Sequence, residues 1–235
     1  MKRLVFFLSI LMIGVESCSP VYVPNAVNTP LFTGQNEFHG AGYIRNLTSW
    51  DVQVAFTPLN HVGIMANGSV GSMEFFLAPE LGKSRQEFFE PGLGFFGRLN
   101  PENNVHGDLY IGYGRGKIKS KSDFFESIIN VNTRTTGYFH RFFLQAAFGA
   151  PSGTNGPLLT CRLTKIDYYK FKSKIAVVHK DETAYFAEPA LTIKFGPKPF
   201  KFVIQGIFAQ RVGGDKDLQY VKTQLLGGAE IQIGH

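Results

Sequence analysis

Two residues of the chain have the spacing of a catalytic pair, His106 and Asp108. On a strand both would lie on one face, where the carboxylate could orient the imidazole as a general base. A serine or threonine beside them would complete a hydrolase of the kind that modifies envelope lipids. The sequence places no such nucleophile there, and polar pairs on one strand face are routine. We therefore expect no catalysis.

Other residues with chemical potential also lack the context that chemistry requires. The segment Gly112-x-Gly114-x-Gly116 resembles half of a nucleotide-binding loop, but it falls within a strand pattern and no helix follows. Its expected role is to leave room for interior side chains or to bend the strand. No two histidines have the helical spacing of a metal site, so we expect neither a metal nor a cofactor. The six histidines are His39, His61, His106, His140, His179 and His235.

The N-terminal residues have the pattern of an export signal. Lys2 and Arg3 precede an apolar stretch that is too short to span a bilayer and suits a signal peptide, which we place at residues 1–17. Residues 15–18 resemble a bacterial lipobox, which predicts acylation of Cys18, palmitate included, and a membrane anchor. The alternative is an ordinary signal peptide with an incidental cysteine. If Cys18 is acylated, Cys161 has no disulfide partner and serves as a small apolar side chain.

Composition excludes several classes of protein. Of 235 residues, 44% are hydrophobic and only 18% are charged, which excludes a disordered chain. No second long apolar run follows the N-terminus, which excludes a helical membrane protein. The net charge of +6 accompanies no basic run interleaved with stacking aromatics, so we expect no nucleic-acid partner. The 26 glycines and 23 phenylalanines favour β structure.

Residues 18–36 contain three prolines, at positions 20, 24 and 30, and no periodic pattern. Proline excludes both a helix and a central strand. We interpret these residues as an extended tether between the lipid and a folded domain that spans residues 37–235.

The folded domain alternates apolar and polar residues with the period of two that is typical of half-buried strands. Most of its candidate strands contain ten or more residues, the length that a tilted strand needs to cross a bilayer. Short helical turns are expected only near residues 120–130. The predicted strands span residues 37–45, 49–57, 61–71, 86–98, 106–117, 135–148, 158–171, 184–195, 199–211 and 219–233.

The links between these strands alternate in length, which is typical of an antiparallel up-and-down β-barrel. Tight turns at 58–60, 100–105 and 196–198 alternate with longer links at 72–85, 118–134 and 172–183. With about ten strands, both ends of the domain fall beside the tight turns. This predicts a bacterial outer-membrane barrel with its tether on the periplasmic side. A lipid-tethered barrel or sandwich that faces the periplasm without insertion is the alternative.

If the apolar faces contact lipid, the polar faces must enclose one another. Ten strands leave little internal space, so we expect a plugged barrel rather than a pore, with a narrow conduit as the alternative. Four acids and four bases on the enclosed faces should form mutual pairs, because buried charge is tolerated only when paired. This expected interior network consists of Asp51, Asp108, Arg141, Arg162, Glu188, Lys194, Lys201 and Glu230.

Aromatic doublets recur near the ends of the predicted strands, for example Phe88-Phe89, Phe95-Phe96 and Tyr168-Tyr169. Aromatic side chains at barrel rims form the interfacial girdle, which is the role that we expect for them. The alternative is a platform for a ligand or a protein partner, built from loop phenylalanines such as Phe75, Phe76 and Phe124.

Three segments resemble those of a known group of proteins: Cys18-x-Pro20-x-Tyr22-Val23-Pro24-Asn25, continuing to Asn28-x-Pro30-Leu31; Ile64-Met65-Ala66-Asn67-Gly68; and Glu188-Pro189-Ala190-Leu191-Thr192. The chain is similar in these segments to small outer-membrane lipoproteins of the Bacteroidota. The resemblance implies an outer-membrane location and a β-barrel fold, and it implies no activity.

Together these patterns favour a lipid-anchored outer-membrane β-barrel with a structural or interaction role in the cell envelope. Its expected partners are outer-membrane lipid and, as a candidate, a larger envelope complex. The second hypothesis is a module that binds a hydrophobic ligand or a membrane complex. An enzyme that modifies envelope lipids is the least favoured.

Overall fold

The computed structural model of the chain describes residues 20–46, 48–73, 84–100, 102, 104–130, 134–151 and 154–234. Nearly all regular structure in this part is β-strand. The strands are β1 (Phe38–Asn46), β2 (Ser49–Leu59), β3 (Val62–Met73), β4 (Ser84–Asn100), β5 (Val105–Ser120), β6 (Thr135–Gly149), β7 (Gly156–Lys172), β8 (Val177–Val178), β9 (Glu182–Phe195), β10 (Phe200–Phe208), β11 (Gln210–Gly214) and β12 (Thr223–Ile233). A helix, α1 (Asp123–Ile129), lies between β5 and β6.

The sheet closes on itself as an antiparallel barrel of ten strands. Each wall strand pairs with its neighbours along the chain, and β1 pairs with β12, which completes the ring. Two short strands do not add walls to this ring. Strand β8 pairs only with the end of β7, and β11 continues β10 along the same edge of β9. The structure confirms the predicted closed β-barrel and its strand count.

The ten predicted strands all appear, with ends that shift by a few residues. The ninth wall strand differs most, because β10 ends at Phe208 and β11 begins at Gln210. The amide of Ala209, between them, donates to the carbonyl of Lys222, which continues the register of β10 with β12. The predicted helical turn is present as α1, where the hydroxyl of Ser122 accepts a hydrogen bond from the amide of Phe125.

The two ends of the barrel differ in the length of their links. At the short-turn end the links are residues 60–61, 101–104, 150–155 and 196–199. At the long-loop end the strands are joined across residues 74–83, 121–134, 173–181 and 215–222, and β1 and β2 are joined there across the two positions between Asn46 and Ser49. The predicted alternation is therefore present, with the β1–β2 link as its exception.

Residues 20–36, here called the lumen segment, run through the barrel interior. The prediction of a free tether is wrong for these residues: they are extended, but positions 20–32 are buried. At the long-loop end the amide of Val21 donates to the carbonyl of Gln219, and at the short-turn end the amide of Asn36 donates to the carbonyl of Thr57. The segment thus belongs to the barrel unit, because lumen-facing side chains bind its backbone.

The expectation that both ends of the domain lie beside the tight turns needs the same correction. Strand β1 does begin at the short-turn end, but the lumen segment leads away from it to the long-loop end. Pro20, the first described residue, therefore lies at the long-loop end. The signal peptide and Cys18 lie outside the described residues.

An apolar cluster closes the lumen at the long-loop end. Phe125 of α1 packs edge-on against Tyr168 and Phe171, with ring centroids 6.1 Å and 5.6 Å apart. Val21 and Tyr22 of the lumen segment belong to the same buried cluster. The cluster and the lumen segment together leave the barrel filled at this end.

Candidate functional site

Glutamine side chains of the barrel wall bind the lumen segment as peptide groups would. Gln205 accepts from the amide of Val27 at 2.7 Å and donates to its carbonyl at 2.9 Å. Gln86 makes the same pair of bonds with Val23, at 3.3 Å and 3.1 Å. A primary amide has one acceptor and two donors, so it can satisfy both backbone groups of an extended residue. The segment is therefore held without joining the sheet.

Ionic side chains add further bonds to the backbone of the segment. Asp51 accepts from the amide of Ala26 at 2.8 Å, Asp108 accepts from the amide of Leu31 at 3.3 Å, and Lys194 donates to the carbonyl of Thr29 at 2.9 Å. The prolines of the segment have no amide hydrogen. They therefore need no hydrogen-bond acceptor from the barrel wall.

The centre of the lumen contains two arginines between two glutamates. Arg162 lies 2.8 Å from Glu188 and 3.4 Å from Glu90, while Arg141 lies 3.3 Å from Glu90 and 3.6 Å from Glu188. All four side chains are at most 1% exposed. The side-chain oxygen of Asn25 accepts from both arginines, at 2.6 Å and 3.0 Å. Opposite charges therefore balance, and the lumen segment is part of the network.

Two smaller ionic groups surround this centre. Glu230 lies 2.9 Å from both His39 and Lys194. Asp51 accepts two hydrogen bonds from Arg45, at 2.9 Å and 3.0 Å. These contacts extend the ionic lining from the central arginines toward both ends of the lumen.

Near the short-turn end Lys201 donates to the carbonyl of Gly196 at 2.6 Å and to the side chain of Asn155 at 2.7 Å. Among the described residues, Lys201 thus binds neutral groups. We expected it to pair with an acidic residue of the interior network.

The structure places all eight residues of the expected interior network in the lumen, each buried. The expected mutual pairs are Arg162 with Glu188, Arg141 with Glu188, and Lys194 with Glu230. The described hydrogen-bond and ion-pair partners of Asp51, Asp108 and Lys201 lie outside the set. Sequence reasoning missed several ionic residues of the lumen, among them Glu90, His39 and Arg45. In β4 the side chains alternate between the two faces, and Glu90 follows the outward Phe89. This alternation in the sequence could have identified Glu90 as a lumen residue.

The spacing of His106 and Asp108 does place both on the lumen face of β5. The ring nitrogen Nδ1 of His106 lies 3.1 Å from the carbonyl oxygen of Phe32, and Asp108 binds Leu31. Their described contacts thus go to the lumen segment, and no described bond joins the two side chains. Within the described residues no three metal-ligating side chains cluster.

The glycine run of β5 provides space, as the sequence analysis expects. A Cβ at Gly112 would lie 2.1 Å from the ring of Phe143, and one at Gly114 would lie 2.5 Å from Cβ of Glu90. A Cβ at Gly116 would meet Phe139 at 2.5 Å. The run therefore accommodates large lumen side chains of β4 and β6.

The outer face of the barrel is apolar. Among the described residues, 32 large hydrophobic side chains are exposed, and they come from nearly every wall strand. Examples are Trp50 of β2, Leu93 of β4 and Phe202 of β10, exposed by 54%, 51% and 62%. Cys161 of β7 lies exposed between Leu159 and Leu163 on this face.

The aromatic doublets are divided between the two faces of the wall. Phe89 and Phe95 are exposed, whereas Phe88 and Phe96 are buried. Consecutive strand residues point to opposite faces, so only half of each doublet can contribute to an outer girdle. The alternative partner platform rests on Phe75 and Phe76, which lie outside the described residues, as does the side chain of Phe124.

Comparison with models of known families and with curated proteins gives no match for this chain. In the described part, no helix is both long and apolar enough to span a membrane.

Proposed function

We propose that this protein is a membrane-inserted β-barrel of the bacterial outer membrane, closed by its own N-terminal segment, with a structural or interaction role and no catalysis. One observation carries the proposal: charge is buried in the lumen while the apolar side chains form the outer surface. Soluble monomers rarely expose contiguous apolar patches of more than a few hundred square ångströms. In a membrane, the outer face contacts lipid tails, so its apolar side chains are no longer exposed to water.

The filled lumen supports a structural or interaction role over transport. Buried ionic pairs and the lumen segment occupy the interior, and a water-filled path for solutes would separate those pairs. Among the wall residues of the lumen, the described polar contacts go mainly to the segment or to one another. These contacts keep the wall rigid around its own chain.

The proposal includes a lipid anchor on Cys18, at the long-loop end. Cys18 lies two positions before the buried Pro20, which limits the distance between their Cα atoms to about 7 Å. An acyl group on Cys18 therefore enters the leaflet next to the long loops. If those loops face outward, as in barrels of this architecture, that leaflet is the outer one.

Cys161 offers a direct test of insertion, because an inserted barrel keeps its side chain in hydrocarbon. The test uses the mature chain with Cys18→Ser, refolded into phosphatidylcholine vesicles. A membrane-impermeant maleimide cannot enter hydrocarbon, whereas a lipid-soluble maleimide can, so we expect the impermeant reagent to label Cys161 at least about tenfold more slowly.

A matched variant, Lys119→Cys with Cys161→Ala, places a single thiol on the outer face near the long loops. It should react readily with both reagents. Equal rates for Cys161 with both reagents, or a monodisperse protein in buffer without detergent, would overturn the proposal.

A further inference from the structure

Charged residues on the outer face gather at the long-loop end of β4 to β7. The outward positions of β1, β2, β3, β10 and β12 carry no charged residue. On the charged side, seven bases and two acids give a net charge of +5. This set, here called the basic rim, comprises Arg85, Glu87, Arg115, Lys117, Lys119, Lys165, Asp167, Lys170 and Lys172. Charges that only kept the protein soluble would be spread around the barrel. Their confinement to one side of the outer face indicates a ligand that binds there.

The acids of the basic rim neutralise only part of it. Glu87 lies 3.0 Å from Arg85 and 2.9 Å from Lys117, and Asp167 lies 2.8 Å from Lys165. Within the described chain, Lys119, Lys170 and Lys172 pair with no carboxylate. The rim therefore has positive charge available for an anion from outside the chain.

Aromatic side chains separate the basic rim from the apolar face below it. The rings of Tyr113, His140 and Tyr169 stack in a row, with centroid distances of 5.6 Å and 4.5 Å. Arg115 donates to the hydroxyl of Tyr113 at 2.8 Å, which joins this row to the rim. Aromatic rings of this kind mark the level where lipid headgroups meet hydrocarbon.

Three clefts follow one another across this boundary on β4 to β6. A polar cleft of about 400 Å³ lies between Arg85, Lys117 and Lys119. A cleft of about 370 Å³ shares Lys117 with it and reaches Phe89.

An apolar groove of about 560 Å³ follows the second cleft and is lined by Pro91, Leu93, Ile111 and Phe142. From Glu87 to Leu93 this path covers about 20 Å along the strand. That length matches a headgroup together with the hydrocarbon half-thickness of one leaflet.

We propose that this path binds one multiply phosphorylated glycolipid of the lipid A type, with its phosphates on the basic rim and an acyl chain in the apolar groove. The excess of bases favours a headgroup with more than one phosphate, because a single phosphodiester would leave most of the charge unmatched. The inference rests on the proposed membrane insertion, since only insertion brings a headgroup to the rim.

The experiment measures binding of diphosphoryl lipid A to the full mature chain in nonionic detergent micelles, by native mass spectrometry. The test variant is Lys119→Gln with Lys170→Gln. Each base beside an anionic headgroup contributes about fivefold to affinity, so we expect a loss of about 30-fold. The control, Arg98→Gln with Lys198→Gln, removes the same charge at the short-turn end and should retain the affinity of the unchanged protein.

Further probes separate the headgroup from other sources of binding. We expect monophosphoryl lipid A to bind more weakly than the diphosphoryl form, and phosphatidylcholine and inorganic phosphate not to compete. Equal losses in the test and control variants, or displacement by inorganic phosphate, would overturn the lipid site. Maleimide labelling of Cys161 tests insertion separately, so protection there together with no lipid A selectivity refutes this inference alone.

Discussion

At the scale of single residues, the lumen depends on ionic groups that have no access to water. Arg162 contacts both Glu90 and Glu188, and it also donates to Asn25 of the lumen segment. A buried charge that loses its partner is strongly unfavourable, although a complete buried pair need not be stabilising. The arginines therefore matter through the carboxylates that they neutralise.

Replacing Arg162 with Met tests this dependence. The variant leaves Arg141 alone between two buried carboxylates, and we expect a loss of about 3–5 kcal/mol in the free energy of unfolding. Urea titration of the protein refolded in detergent micelles measures it. Arg85→Gln removes an exposed partner of Glu87 and should change stability by less than about 1 kcal/mol. Similar values for the two variants would contradict the buried network.

The glycine run of β5 makes a second prediction about single residues. A Cβ at Gly114 would lie 2.5 Å from Cβ of Glu90 and 2.8 Å from the carbonyl oxygen of Phe89. The carbonyl of Phe89 is part of a paired strand, so it cannot shift without distorting the sheet. Gly114→Ala should therefore destabilise the barrel by about 1–3 kcal/mol. Gly42→Ala is the matched control on β1, where no atom lies within 4 Å of the added Cβ. The same urea titration should show no loss for that control, and an equal loss would refute close packing at Gly114.

At the scale of elements, the lumen segment is held by wall side chains instead of by a strand partner. Gln205 bonds both backbone groups of Val27, so Gln205→Leu should leave a buried donor and a buried acceptor unsatisfied. Each such group costs about 1–3 kcal/mol, and hydrogen exchange at the amide of Val27 should accelerate accordingly. Gln224→Leu is the control, since the side-chain nitrogen of Gln224 is buried without a described partner. An unchanged hydrogen-exchange rate at the backbone amide of Val27 would show that the side-chain amide of Gln205 does not hold the lumen segment.

The wall strands could be predicted from sequence because each of them carries its own period-two pattern. The lumen segment carries no such pattern, and its burial depends on partners far along the chain, such as Gln205 and Arg162. Its prolines indicated extended backbone correctly but gave no sign of where that backbone lies. Local patterns thus fixed the elements, whereas the contents of the lumen required the closed barrel.

At the scale of the whole molecule, the lumen segment determines at which end of the barrel Pro20 lies. A barrel without threading would present Cys18 and the short turns on one side. With threading, Val21 bonds Gln219 within the loop at 215–222, so we expect Cys18 on the same side as that loop.

Sided labelling distinguishes these two topologies. The chain that begins at Cys18, with Cys161→Ala, is refolded without acylation into vesicles that hold barrels in one orientation, so Cys18 is its single thiol. Two reference variants add Cys18→Ser and place the thiol at Asp217→Cys or at Glu102→Cys. An impermeant maleimide should label Cys18 from the side that labels the Asp217→Cys variant, while the Glu102→Cys variant reacts from the opposite side. If Cys18 instead follows the Glu102→Cys variant, the segment does not thread the barrel, and an anchor at the long-loop end becomes untenable.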